Sequence, residues 1–460
     1  MSLQFITGNS GNGKTKYLFN RIVKEAKANP RDNYLVIVPE QFTMQTQRQL
    51  VDLSENKAIM NIDVLSFKRL AYRVFDELGI TNLTVLEETG KNLVLRKLAA
   101  QEADKLGVIG RNLNRIGYIS EVKSLLSELV QYNISPEELG RYIASGRLSD
   151  TLSDKLKDVL VLYEAFEKFM QDKYITAEEI LNELSNVAEE SAILRNSVIA
   201  FDEFTGFTPI QNQLIKKLFV ISKKIYVTLT IDCREDIFKS RGMQELFDMP
   251  KRTVKSLTEM AAFYGIEVEE PIILDKNYRL TENEELSFME QQLFRKRRGS
   301  SKKAPKHIHI DCLRDPKQEL TKIARRINEL VRNENLRYRD IAIVTGDVNI
   351  YAGYVREIFD KYNIPYFIDA TQEILFHPFI EFIRSIPDIA AQNFSADAVF
   401  RFLRCGFTEL LDSEIDVLEN YVLACGVRGK SAWDKKWVRL PKHKAGYDIE
   451  LLNQSREYIM

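Results

Sequence analysis

The sequence has few cysteines and no segment typical of export or membrane insertion. Its four cysteines include no CxxC pair and have no histidine at zinc-ligand spacing, so neither a disulfide framework nor a zinc site is predicted. No apolar run reaches the length that spans a membrane. The first residues, MSLQFITGNSGNGKT, lack the charged and apolar regions of a signal peptide. We therefore expect a cytoplasmic protein without membrane contact.

Neither sign of charge is in excess. The chain has 65 Lys and Arg residues against 66 Asp and Glu residues, which leaves a formal net charge of −1. That balance provides no overall attraction to nucleic acid, so any contact with DNA must come from local patches or from a partner. With 460 residues, 45% of them hydrophobic, the chain is long enough for roughly two to four globular domains.

Apolar segments that alternate with helical patterns predict an α/β fold with a parallel sheet. The first α/β domain is expected over residues 1–85 and 191–275. Its predicted strands are residues 3–7, 34–39, 62–67, 197–204 and 224–232. Residues 86–190 lack β-rich runs and show apolar residues at three- and four-residue spacing, which predicts an inserted helical domain.

A second α/β domain is expected over residues 276–375, and a partial helical insertion over residues 376–460. The predicted strands of this second domain are residues 307–313, 340–347 and 364–369. Two α/β blocks, each with a helical insertion, suggest that the same domain architecture occurs twice in the chain.

Residues 8–15 match the phosphate-binding pattern G-x-x-x-x-G-K-[ST]. Glycines let backbone N–H groups point toward one place, and the helix that follows directs its positive end there. We expect Lys14 to reach the β- and γ-phosphates of ATP, and Thr15 to offer its hydroxyl to Mg²⁺. The predicted nucleotide-binding residues are Gly8, Asn9, Ser10, Gly11, Asn12, Gly13, Lys14 and Thr15.

Two carboxylates, Asp202 and Glu203, end the apolar run Val-Ile-Ala-Phe. In a parallel sheet, this end of a strand faces the ligand crevice. Asp202 is predicted to hold Mg²⁺ through water, and Glu203 to orient and deprotonate the attacking water. An acidic pair after a strand is common, and the phosphate-binding loop upstream is what favours this interpretation.

The order of these motifs resembles that of superfamily-1 helicases of the UvrD and RecB type, which implies that both α/β domains are RecA-like. FDEFTGFTPIQ is similar to their acidic motif, and ILDKNYRL to the motif whose arginine, here Arg279, reaches the γ-phosphate. VPEQFTMQTQRQL and VLSFKRLAYRVF resemble motifs on the path of single-stranded DNA. The DNA-contacting residues implied there are Phe42, Thr43, Ser66 and Phe67.

Within that superfamily, the opening MSLQFITGNSGNGKT and the segment LVIVPEQFTMQTQ resemble the AddB (RexB) family. The resemblance implies an ATP-binding, helicase-like subunit of a heterodimeric ATP-dependent helicase/exonuclease. Its partner would be AddA, which supplies the motor, and its substrate would be DNA. The complex would act in double-strand break repair by homologous recombination and in recognition of the Chi sequence. We expect the chain to be the N-terminal part of such a subunit, with the nuclease and its iron–sulphur cluster in the C-terminal part.

Two departures from the motor pattern leave other functions open. Thr205 and Gly206 replace the usual Gln-Asp, and Asp232-Cys233-Arg234 stands where helicases carry a glutamine that couples ATP to DNA. A self-sufficient UvrD-type helicase would need that glutamine. A non-catalytic DNA-binding scaffold with a vestigial phosphate-binding loop is the other alternative, although the loop is intact.

Two basic segments can be interpreted either as purely structural or as contacts with DNA. Residues 295–303 are favoured as a solvated linker rather than a DNA contact. Residues 428–444 interleave cations with Trp433 and Trp437, which could stack on bases or form a core. We favour the core.

Overall fold

The computed structural model describes residues 1–81, 84–108, 110, 117–146, 148–170, 174–295, 299–301, 304–370, 374–441 and 447–460. Parts of both basic segments, residues 296–298, 302–303 and 442–446, lie outside this set. The chain divides into two compact units, Met1–His309 and Ile310–Met460. Residues 276–309, which were predicted to begin the second α/β domain, belong to the first of these units.

The first unit is built on a seven-stranded parallel sheet, which confirms the predicted α/β fold class. The strands of the unit are β1 (Ser2–Gly8), β2 (Tyr34–Ile37), β3 (Ile62–Leu65), β4 (Val85–Leu86), β5 (Ile175–Thr176), β6 (Val198–Phe201), β7 (Lys224–Thr230), β8 (Glu267–Val268) and β9 (Ile272–Leu274). The order is β3-β2-β6-β7-β1, with β8 and β9 both pairing with β1 along the same edge. All residues of β2 and β6 are buried, as a parallel sheet covered on both faces requires.

Helices cover both faces of this sheet. The helices of the unit are α1 (Lys14–Ala28), α2 (Thr43–Leu53), α3 (Phe67–Leu78), α4 (Glu88–Gln101), α5 (Tyr118–Gln131), α6 (Pro136–Ala144), α7 (Asp150–Met170), α8 (Ile180–Val187), α9 (Pro209–Ile221), α10 (Asp248–Phe263) and α11 (Glu284–Gln292). One core joins α1 and α2 to Ile6 and Val36, and the other joins α3, α8, α9 and α10 to Leu35 and Ile199. Neighbouring residues of one strand thus enter opposite cores, which fixes the register of the sheet.

Helices α4–α7 form a separate core around Leu95 and Leu162. They lie between β4 and β5, which pair in parallel with Val85 opposite Ile175. Lys91 is buried here and is held by Glu88 at 2.9 Å and Glu178 at 2.6 Å. A buried ammonium with two carboxylate partners avoids the cost of an unpaired charge.

The second unit is helical in the part that the structure describes. Its helices are α12 (Pro316–Asn333), α13 (Val348–Lys361), α14 (Pro378–Ala391), α15 (Ala396–Leu403), α16 (Asp412–Cys425), α17 (Lys430–Trp433) and α18 (Ile449–Ile459). Leu320 and Phe359 belong to a small core between α12 and α13. A larger core contains Trp433 and Trp437, together with residues of α15, α16 and α18.

The prediction of three strands in the second α/β domain is wrong. Residues 307–313, 340–347 and 364–369 are described, and none of them forms a strand. Ile310, Val344 and Phe367 are 94%, 92% and 87% exposed, respectively. A strand exists only when its N–H and C=O groups bond to a neighbour, and no backbone hydrogen bond joins these described segments to one another.

None of the helices in the described ranges combines the length and the hydropathy needed to span a bilayer. The four cysteines are free thiols.

Candidate nucleotide-binding site

The loop between β1 and α1 adopts a conformation that depends on its glycines. Gly11 and Gly13 have φ angles of 88° and 79°, in the left-handed region that side chains disfavour. A Cβ at Gly11 would also lie 2.8 Å from Arg279 Cβ and from Asn277 Oδ1. The loop therefore turns sharply into the positive end of α1, the arrangement that binds phosphate.

The Lys14 side chain lies over this loop. Its Nζ donates to the carbonyl oxygens of Gly8 and Asn9, both at 3.1 Å. Burial lowers the pKa of Lys14, although the nearby carboxylates of Glu203 and Asp202 oppose this shift. The ammonium is thus poorly hydrated and close to the backbone amides of the loop, where an anion would be attracted strongly.

Asp202 and Glu203 lie opposite the start of α1, as the sequence predicts. Thr15 Oγ1 donates to Asp202 Oδ1 and to Glu203 Oε1, both at 3.3 Å. Asp202 is only 1% exposed; its Oδ1 also accepts from the Thr228 hydroxyl, and its Oδ2 is buried with no hydrogen-bond partner among the described residues. Burial raises the pKa of Asp202. A buried carboxylate oxygen without a partner, beside a threonine hydroxyl, fits a Mg²⁺ ion and its waters.

Glu203 has a φ of 64°, in the left-handed region where a residue with a long side chain is strained. Its side chain lines the same cleft as Lys14 and Thr15. Strained residues concentrate at functional sites because the surrounding structure holds them in place.

The segment after β9 packs directly on the loop. Asn277 Nδ2 donates to the Ser10 carbonyl at 3.0 Å, and the Tyr278 amide donates to the Gly11 carbonyl at 3.0 Å. Arg279 lies 3.4 Å from Ser10 Oγ through its guanidinium. The structure therefore brings Arg279 to the phosphate-binding loop, while its contact with a γ-phosphate stays a prediction.

A partly buried ion network supports the loop from behind, and no sequence motif indicated it. Asn9 donates to Glu290 Oε1 at 2.7 Å and accepts from the Cys233 amide at 3.0 Å. Arg295 contacts Asp232 and donates to Glu290 at 3.1 Å. Burial opposes ionisation of Asp232, but hydrogen bonds from Arg234 lower its pKa overall. The acidic residue that replaces the helicase motif is thus an anchor for two arginines.

Lys14, Thr15 and Arg279 line one cleft of about 960 Å³ together with the acidic pair. Residues of the cleft that the sequence did not single out include Gln45, Gln49, Thr228 and Thr230. Thr228 is a polar residue inside the buried strand β7, and that mismatch is the one signal that would have indicated it.

The four residues implied for DNA contact have protein partners. Phe42 lines the nucleotide cleft, and the Thr43 hydroxyl donates to the Glu40 carbonyl at 3.0 Å. Ser66 bonds to the Glu40 carboxylate and caps α3, and Phe67 stacks on Phe201 at 5.8 Å between ring centroids. Thr43, Ser66 and Phe67 are buried, so a direct role on DNA stays a prediction.

The fold and the site define a parallel α/β domain of the helicase-like class, with a loop that matches the phosphate-binding pattern. A family model described as ADDB, N-terminal, matches residues 5–290. The chain is 38% identical to the B-subunit of the ATP-dependent helicase/deoxyribonuclease of Lachnoclostridium phytofermentans, over 100% of the chain and 40% of that relative. It is 34% identical to the protein of the same name from Clostridium tetani, over 95% of the chain and 38% of the relative. The chain therefore belongs to the AddB family, and it spans about two fifths of the length of these relatives.

Proposed function

We propose that this chain is the ATP-binding, helicase-like part of an AddB-type subunit in a heterodimeric ATP-dependent helicase/deoxyribonuclease. The observation that carries the proposal is that Lys14, Thr15 and Asp202 meet in one cleft, with hydrogen bonds from Thr15 to the acidic pair. Membership of the AddB family supports the wider role in double-strand break repair by homologous recombination and in Chi recognition, with AddA as partner and DNA as substrate.

Each residue of the cleft has a proposed task. The loop amides and Lys14 bind the β- and γ-phosphates, and Arg279 approaches the γ-phosphate from the segment after β9. Thr15 and Asp202 would hold Mg²⁺, which neutralises charge on the phosphate oxygens when it is bound. Glu203 is placed to orient a water molecule toward the γ-phosphate.

We infer that nucleotide binding is retained while hydrolysis is weak and poorly coupled to movement. Asp232 occupies the strand end where helicases carry a coupling motif, and it is paired with Arg234 at 2.6 Å and with Arg295. A buried ion network of this kind resists rearrangement, because breaking one pair leaves an unpaired buried charge. The motor activity is accordingly proposed for the partner protein.

Binding of a fluorescent ATP analogue tests the proposal. Lys14→Ala should weaken binding roughly 10- to 100-fold, because a charge-assisted hydrogen bond contributes about 1.5–3 kcal/mol. Lys24→Ala is the matched control, since Lys24 is exposed on the same helix. Equal binding by the parent and the Lys14 variant would refute the site.

Strand separation distinguishes the role in a heterodimer from that of a self-sufficient helicase. The whole AddB-type protein should unwind duplex ends only when it is mixed with AddA. Unwinding without AddA would favour the UvrD-type alternative. Failure of the parent chain to bind the ATP analogue would favour the scaffold alternative with a vestigial loop.

A further inference from the structure

Residues 428–439 of the second unit, which we call the basic loop, present cations without ionic partners. Its charged residues are Arg428, Lys430, Asp434, Lys435, Lys436 and Arg439. Five cationic and one anionic side chain leave a net charge of +4 on twelve residues. All six are exposed, and none of the five cations forms an ion pair within the part of the chain that the structure describes.

On the preceding helices of the same unit, arginine side chains form ion pairs with carboxylates. Arg384 pairs with Glu381 at 3.3 Å, Arg401 with Asp388 at 2.6 Å, and Arg404 with Asp416 at 2.7 Å. Opposite charges are interspersed on those helices, so their field cancels over short distances. On the basic loop it does not cancel, and the surface has a local positive potential although the whole chain is nearly neutral.

The backbone of the basic loop is held in place by buried polar groups. Trp433 and Trp437 point inward and pack against each other at 5.3 Å between ring centroids. Asn453 bonds to both the amide and the carbonyl of Trp437 at 2.9 Å. Arg456 is buried and donates to the Trp433 carbonyl at 2.9 Å. The loop therefore presents its cations from an ordered backbone, so binding requires little further ordering.

We propose that the basic loop binds the phosphodiester backbone of DNA without reading its sequence. A repeating polyanion fits several cations on one short segment. The burial of both tryptophans removes the stacking platforms that would read or grip bases. Three of the five cations are lysines, which are depleted at protein–protein interfaces, so an acidic protein is the less suitable partner. The choice of DNA as the nucleic acid rests on the proposed function.

Fluorescence anisotropy with a labelled oligothymidine and a labelled duplex tests this proposal on the whole chain. In the loop variant, Lys430, Lys435 and Lys436 are changed to Glu. In the matched control, Arg314, Arg339 and Arg356 are changed to Glu; these residues are exposed cations of the same unit that form no ion pair in the described ranges. Both variants change the net charge by the same amount, so a difference in DNA affinity between them reflects where the lost cations lie.

The loop variant should lose DNA affinity at least about 10-fold and the control less than about 2-fold. The slope of log affinity against log salt for the single strand should fall by about 2 in the loop variant, because each lost phosphate contact contributes about 0.7. Equal losses in both variants, unchanged binding by the loop variant, or binding of polyglutamate as tight as that of DNA would each overturn the proposal. The ATP analogue separates the two proposals: the loop variant should bind it normally, whereas failure of the Lys14 test would leave the DNA result unaffected.

Discussion

The two compact units contain similar apolar runs but use them differently. In the first unit, runs such as residues 3–7 and 198–201 join a continuous parallel sheet with helices on both faces. In the second unit, runs such as residues 341–344 and 364–368 form no strand, and Val344 and Phe367 are exposed although Ile364 is buried. An apolar run shows that a segment favours burial, whereas a strand also needs a neighbour to supply its hydrogen bonds.

The largest difference in unfolding free energy should come from the same Phe→Ala substitution in one apolar run of each unit. Phe5→Ala should lower the unfolding free energy of the first unit by about 3–5 kcal/mol, because Phe5 is fully buried in its core. Phe367→Ala should change the second unit by less than about 0.5 kcal/mol. Both tryptophans lie in the second unit, so urea unfolding followed by tryptophan fluorescence reports that unit, and circular dichroism reports both. A large effect of Phe367→Ala would show that this run is packed in solution.

Removal of one arginine side chain from each unit should give the next largest difference in unfolding free energy. Arg295→Ala removes a buried partner of Asp232 and Glu290, and we expect a cost of about 2–3 kcal/mol, reduced because Arg234 still pairs with Asp232. Arg404→Ala removes two ion pairs, with Asp416 and Glu419, whose arginine is 46% exposed, and the expected cost is at most about 1 kcal/mol. Urea midpoints of the two variants measure the difference, and equal costs would contradict it.

Two aspartates, one in each unit, should make contributions to stability that depend on pH with opposite signs. Burial raises the pKa of Asp202, so its ionisation costs stability as pH rises from the unfolded value of 3.8 through the raised folded value. Asp202→Asn should therefore melt at a higher temperature than the parent at pH 7, a gain that disappears below pH 3.8. The Arg337 guanidinium lowers the pKa of Asp340 to about 2, so its stabilisation is present above 3.8 and is lost as pH falls toward 2.

Asp340→Asn should accordingly lower the melting temperature of the second unit at pH 7, by a small amount because the pair is exposed. The difference from the parent should vanish near pH 2. Melting curves at pH 7, 4 and 2 for both Asn variants check the two signs. A shift of the same sign for both variants at pH 7 would contradict the assignment.

Backbone strain should give the smallest difference. Glu203→Gly should stabilise the first unit by about 0.5–1 kcal/mol, since relief of roughly 1–2 kcal/mol of left-handed strain exceeds the entropy cost of glycine. Asn363 has a φ of 52° in the second unit, but Asn tolerates this region, so Asn363→Gly should be nearly neutral. Melting temperatures measure both, and a loss of stability in Glu203→Gly would show that its side-chain contacts outweigh the strain.

The geometry at the centre of the candidate nucleotide site was predictable from the sequence because it depends on local patterns and on one rule of parallel sheets. The phosphate-binding loop is continuous in sequence, and the carboxyl ends of parallel strands meet at one edge, which places Asp202 near Thr15. The support from Glu290 and Arg295 was not predictable, because those residues lie more than 250 positions from Asn9 in the sequence and follow no motif.

Local patterns also misjudge exposure. Phe67 and Ser66 match a motif on a DNA path, yet both are buried, one in an aromatic cluster and one under the Glu40 carboxylate. Trp433 and Trp437 are surrounded by lysines in the sequence, yet they form a core, as the structural interpretation of this segment predicted. In each pair, the side chain's direction depends on contacts that are distant in sequence.

The short pair of β4 and β5 has a consequence for how proteins of this architecture can vary. Val85 and Ile175 are neighbours in a parallel ladder, so the chain leaves the sheet domain and returns to it at points roughly 5 Å apart. Between them, helices α4–α7 pack around a core of their own. This segment can therefore be lengthened, shortened or exchanged, in evolution or by grafting, without altering the strands that position the phosphate-binding loop.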